Sequence, residues 1–82
     1  MNYYIIVYKN TLNAMEAEKT LNEKNYLFKI MPTPTSITQS CGICTRFQSK
    51  EQIDEIINED IIRYKNIYYR SNEGYKLIEK GE

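Results

Sequence analysis

The sequence predicts an α+β domain in which two β-α-β halves share one antiparallel sheet, with both helices on the same face. Three observations predict it. An unbroken aromatic and β-branched run opens the chain at residues 3–8. Two amphipathic segments, each behind a helix-capping residue, follow at 12–24 and 50–65. Each leads into a further β-rich run, at 26–31 and 67–70. The chain has 82 residues, which is room for one domain, residues 1–82. Its last stretch, 71–82, reads as a short edge strand or tail.

Residues 3–8 (Tyr-Tyr-Ile-Ile-Val-Tyr) carry no polar break, which suits a strand buried on both faces or nearly so. Asn10 or Thr11 caps the first helix. Ala14, Ala17 and Leu21 share one side of it, with Leu12 and Met15 beside them. Asn25 ends it, because asparagine tolerates the left-handed conformation at a helix C-terminus. The second strand follows at 26–31. Pro32, Thr33 and Pro34 then open a long polar loop that runs through Ser40, Cys41 and Gly42, with a helical turn expected near 36–39. Residues 43–48 alternate as a third strand. Ser49 and Gln52 form a capping box for the second helix. Ile53, Ile56, Ile57, Asp60, Ile61 and Tyr64 follow its 3.6-residue period out to about residue 65, Asp60 being the one polar member. A fourth strand at 67–70 and a turn at 71–74 complete the pattern. This order, β-α-β-β-α-β, is the ferredoxin-like split βαβ arrangement, a four-stranded antiparallel sheet with two helices on one face. A thioredoxin-like fold fits less well, because its Cys-x-x-Cys opens a helix, whereas here the pair runs into a strand.

Composition narrows the chemistry. Eleven basic and eleven acidic side chains give a net charge of zero, which argues against a general nucleic-acid binder. No apolar run approaches the roughly 18–20 residues of a membrane span, and no secretory signal pattern opens the chain. Histidine is absent, which removes Ser-His-Asp triads, Cys-His dyads and histidine metal sites within the chain. Two cysteines are too few for a disulfide-stapled secreted scaffold, so a cytoplasmic location is expected. The bias toward Ile, Lys, Asn and Tyr is common in A+T-rich bacterial genomes. The carboxylates of the second helix ride its solvent side and suggest no acid–base pair.

The pointed feature is Cys41-Gly42-Ile43-Cys44. Such a pair can cycle between dithiol and disulfide, supply half of a metal site, or carry a sulfur adduct on one cysteine that the other resolves. Zinc needs four ligands and only two soft ones exist here, so no metal and no cofactor are expected. Cys41 and Cys44 are the candidate reactive residues. Arg46 and Lys29 are candidate cations for lowering a thiol pKa, and backbone N–H groups of the loop and the Ser40 hydroxyl are candidate donors to the sulfur. The opposing reading makes the cysteines small apolar fillers, above all Cys44 in its strand.

Met31-Pro32-Thr33-Pro34, Ile37, Ser40-Cys41-Gly42 and Arg46-Phe47 resemble a family of short bacterial domains described as putative selenium/sulfur carrier protein-like, long listed as a domain of unknown function. The resemblance runs from about residue 3 to 70, and its most specific part is the Pro-Thr-Pro to Ser-Cys-Gly segment. It implies that Cys41 carries sulfur or selenium, taken from a donor protein and passed to an acceptor. It implies a carrier more than a stand-alone enzyme. Cys44 falls at a position where small residues are common, so the resemblance favours a single carrier cysteine.

Eight tyrosines remain. They serve β-propensity and composition, or they make a sticky face for a partner. The sheet face without helices is expected to be uncovered, and a homodimer through it is the assembly these tyrosines suggest. The competing function is a non-catalytic regulatory or protein-interaction module with structural cysteines.

Overall fold

The computed structural model describes residues 2–37 and 42–81. Its elements are β1 (Tyr3–Val7), α1 (Thr11–Glu23), β2 (Lys29–Pro32), β3 (Ile43–Phe47), α2 (Lys50–Glu59), β4 (Asn66–Ser71) and β5 (Gly74–Lys80). The strands form one sheet in the order β2-β3-β1-β4-β5, and every neighbouring pair is antiparallel. β3 thus sits between β1 and β2, so these two strands run parallel without touching. The four strands expected from the sequence are joined by a fifth. A tight turn at 72–73, with Gly74 at φ 115°, folds β5 back along β4. A register shift between Ile67 and Tyr68 places both Leu77 and Ile78 within β5, and this adjacent apolar pair hides the strand's alternation in the sequence.

The helix starts follow their caps. The Asn10 side chain accepts the Asn13 N–H at 2.8 Å, and the Ser49 hydroxyl accepts the Gln52 N–H at 3.3 Å. α1 ends in a left-handed Asn25 (φ 62°), where the Tyr26 N–H reaches back to the Leu21 carbonyl at 3.0 Å. α2 is shorter than its apolar period suggests. Asp60 adopts the left-handed conformation (φ 52°) and closes the helix onto the Ile56 carbonyl. Ile61 and Tyr64 lie beyond that stop, yet Ile61 packs against the same core and Tyr64 is buried in it, which is why the period seems to continue. β2 also starts later than expected. The Gln52 side chain holds both the N–H and the carbonyl of Leu27, and Tyr26 donates to Glu55, so this stretch is tied to α2 instead of pairing in the sheet.

Both helices pack on one side of the sheet. Ala14, Ala17 and Leu21 of α1 and Ile53 and Ile56 of α2 meet Ile6, Tyr8, Phe47 and Ile67 in one cluster. Leu12 and Met15 do not join it; they are 63% and 58% exposed. The fully buried Thr45 is satisfied from within this cluster, since its hydroxyl and that of Tyr8 are 2.8 Å apart. No helix among the described residues is long and apolar enough to cross a membrane.

The Tyr8 and Thr45 bond makes a testable pair. Tyr8→Phe strands the Thr45 hydroxyl in the core and is expected to cost about 1–3 kcal/mol. Adding Thr45→Val removes the stranded group and should recover part of that loss. Urea unfolding of the two variants measures both.

Candidate functional site

The loop expected to carry chemistry leaves the sheet between β2 and β3. Pro32 is paired with Ile43 on an edge strand, where a missing N–H is tolerated. One step further, the Thr33 N–H donates to the Gly42 carbonyl at 3.1 Å and pins the two limbs together. The Ile37 N–H then bonds to the Pro34 carbonyl at 3.1 Å. A turn therefore begins at Pro34, whereas residues 38–39 of the helical turn expected near 36–39 lie outside the described residues. Thr33 Oγ1 is buried and finds no hydrogen-bond partner among the described residues. Ser40 and Cys41, both named from the sequence as site residues, lie outside the described residues.

Ile37 brings the outgoing limb onto the side of the sheet that has no helix. There it packs, with Tyr3, Met31, Tyr68 and Tyr75, against Ile5, Val7 and Cys44. Those three are fully buried, so the face expected to be uncovered is covered at its centre. Cys44 is opposite Val7 on one side and Met31 on the other, and its thiol lies 3.8 Å from the Pro32 carbonyl as a weak donor. The strand residue named as a second reactive cysteine therefore points into this small core.

Arg46, two residues along β3, faces the same side. Its guanidinium stacks 4.0 Å from the centre of the Tyr3 ring. With the Gln48 amide turned to donate to Asn2, its oxygen accepts from Arg46 at 3.1 Å. The Tyr3 and Tyr75 hydroxyls are 2.9 Å apart, and Arg70 covers the Tyr75 ring at 4.8 Å. Ser36, Ile37, Tyr68, Arg70, Gly74 and Tyr75 line a shallow cavity of about 370 Å³. Burial, the Tyr3 hydrogen bond and the charge of the Tyr3 phenol push the Tyr75 phenol up to about 12. The Cys44 sulfur adds to this and Arg70 opposes it. Tyr75 therefore stays neutral and offers a hydroxyl, not a phenolate, beside the buried thiol.

Of the residues named from the sequence, Lys29, Pro32, Thr33, Pro34, Gly42, Cys44 and Arg46 are described, but they do not converge on one point; Lys29 is exposed, opposite Arg46. The prolines and Gly42 frame the loop. Arg46 belongs to a group that the sequence reading missed, with Tyr3, Arg70 and Tyr75. Strand alternation places Tyr3 with Ile5 and Val7, but the pairing of Tyr3 with Arg70, and of Arg70 with Tyr75, needs the register. Among the described residues, no cluster of three His, Cys, Asp or Glu side chains could hold a metal ion.

Residues 3–69 match the family model described as putative Se/S carrier protein-like, and the chain belongs to that family. No curated protein and no solved structure matches the chain at a significant level. β5 and its Tyr75 fall beyond the matched residues.

The Tyr75 environment predicts a pH response. Its folded pKa lies above the value of about 10 for a free tyrosine, so the fold favours the neutral phenol. That stabilisation is complete below about pH 10 and is lost as the pH rises toward 12. Tyr26 also titrates at about 12, raised by burial and by Glu55, so the test uses a Tyr26→Phe background. Tyrosinate absorbance should show a late component that Tyr3→Phe moves to lower pH.

Proposed function

From membership of that family we propose that the chain is a sulfur or selenium carrier, not a stand-alone enzyme, and that Cys41 is its loading residue. The observation that supports this most is the burial of Cys44. It leaves Cys41, the only other cysteine, as the candidate for contact with another protein. The loop is held by Thr33 at its base and by Ile37 on the sheet, and its two prolines limit the entropy lost on docking.

In the proposed loading step the Cys41 thiolate attacks the terminal sulfur of a donor persulfide. A new S–S bond forms on Cys41, the donor's S–S bond breaks, and the donor cysteine leaves as a thiolate. No external oxidant or reductant is needed. Discharge is the same exchange onto an acceptor thiolate. Selenium in place of the terminal sulfur follows the same balance. Cys44 can resolve the adduct only with the loop displaced, because its sulfur is covered. Attack on the inner sulfur then gives a Cys41–Cys44 disulfide and releases the cargo as sulfide or selenide, after which a thiol reductant resets the pair. We read β1 to β4 as a ferredoxin-like core extended by β5, and we assign the protein to a reducing cytoplasm, with donor and acceptor proteins as its partners.

The second reading, an interaction module with structural cysteines, is favoured at Cys44 by the same burial. Alkylation against pH separates the two: a carrier has one fast cysteine of low pKa, and a module has two slow ones. The direct test is mass spectrometry after incubation with a cysteine desulfurase and its substrate. Wild type and Cys44→Ser should each gain one sulfur, and Cys41→Ser should gain none. If Cys41→Ser loads as well as wild type, the proposal fails.

A further inference from the structure

We propose that the arginine and tyrosine cluster on the helix-free side, formed by Tyr3, Arg46, Arg70 and Tyr75, is the docking surface for an acidic segment of the protein that exchanges cargo with this chain. The inference rests on the carrier reading for the identity of the partner, but its evidence is separate.

The chain is neutral overall, yet its charge is segregated. Seven of its eleven carboxylates lie on α1 and α2, on the other side of the sheet. Glu79 of β5 faces that side too, in a groove with Ile53, Asp54 and Ile57 of α2. The strand positions on the helix-free side hold Lys29, Arg46, Arg70 and, at the end of β5, Lys80 and, among the described residues, no carboxylate. Glu73 stands at the tip of the β4–β5 turn, outside the paired strands. A neutral protein thus presents a cationic face whose complement is an acidic surface.

The cluster is also built for protein contact. Arginine and tyrosine are the residue types that dominate interface energetics. Both guanidiniums are already stacked on rings, so little side-chain freedom is lost when a carboxylate arrives. The Tyr3 and Tyr75 hydroxyls share one proton between them, which leaves the other hydroxyl proton for an incoming acceptor. Ser36 and Ile37 line the cavity beside Arg70 and Tyr75, so a bound segment would run alongside the loop that leads to Cys41. Four cations opposite two acidic helices are a poor match for a polyanion, whose affinity grows with each phosphate neutralised.

The test titrates the isotope-labelled full chain with a short glutamate-rich peptide and, as a control, a lysine-rich peptide of the same length, followed by NMR. The acidic peptide should shift the signals of Tyr3, Arg46, Arg70 and Tyr75, and the basic one should not. Binding should weaken as salt rises from about 50 to about 200 mM. Arg46→Gln with Arg70→Gln should weaken it by about tenfold or more, with the amide spectrum checking the fold. Arg70→Lys, which keeps the charge, should lose less affinity than Arg70→Gln alone. Shifts confined to another face, or an unchanged affinity in the folded double variant, would overturn the proposal. Tighter binding of a single-stranded oligonucleotide or of phosphatidylserine vesicles would overturn it as well. Sulfur loading of the wild-type chain, measured beside peptide binding, separates the two ideas. Peptide binding with no sulfur loading in wild type sinks the carrier reading and leaves the docking surface. Normal loading with no peptide binding sinks the docking surface alone.

Discussion

β1 is the constraint on which the rest of the structure depends. Ile5, Ile6, Val7 and Tyr8 follow one another with no exposed position, so the central strand is apolar on both sides. Such a strand is stable only if both of its faces are kept from water. The helices meet that demand on one side, through Ala14, Ala17, Leu21, Ile53 and Ile56. Both helices lie on that side and leave the other without one. Ile37, Met31 and the rings of Tyr3, Tyr68 and Tyr75 close it instead. The loop between β2 and β3 is therefore part of the core before it is anything else.

That double burial was written in the sequence, and so were the places where the helices begin. Residues 3–8 have no alternation, and Asn10, Asn25, Ser49 and Gln52 each act through a bond spanning only a few residues. The features that escaped a sequence reading depend on distant partners. The end of α2 is set by a left-handed Asp60, the one polar member of a period that otherwise continues past it. The start of β2 is set by Gln52, 25 residues away from Leu27. β5 was expected only as a short edge strand or tail, and its full length is masked by a register shift. The cover on the second face conflicted with the expectation of an open sheet, and it was implied by the unbroken run of β1 itself.

The site divides in the same way. The loop and its cysteines are legible because prolines, glycine and the Cys-x-x-Cys spacing are local signals. The arginine and tyrosine cluster is not, because Tyr3, Arg46, Arg70 and Tyr75 come from four strands and meet only through pairing. The direction of Cys44 was open in the sequence, since a loop resets strand parity; pairing with Val7 decides it. Once Cys44 is inside, the two cysteines cease to be equivalent. One is part of the packing under the loop, and the other stands next to Gly42 in the chain.

The two rims of the sheet are both unsuited to growth. β2 ends in Pro32, which offers no N–H to a newcomer, and β5 is bent by its register shift and carries Lys76 and Lys80. Stacking of copies rim to rim into a continuous ribbon is thereby discouraged at both ends.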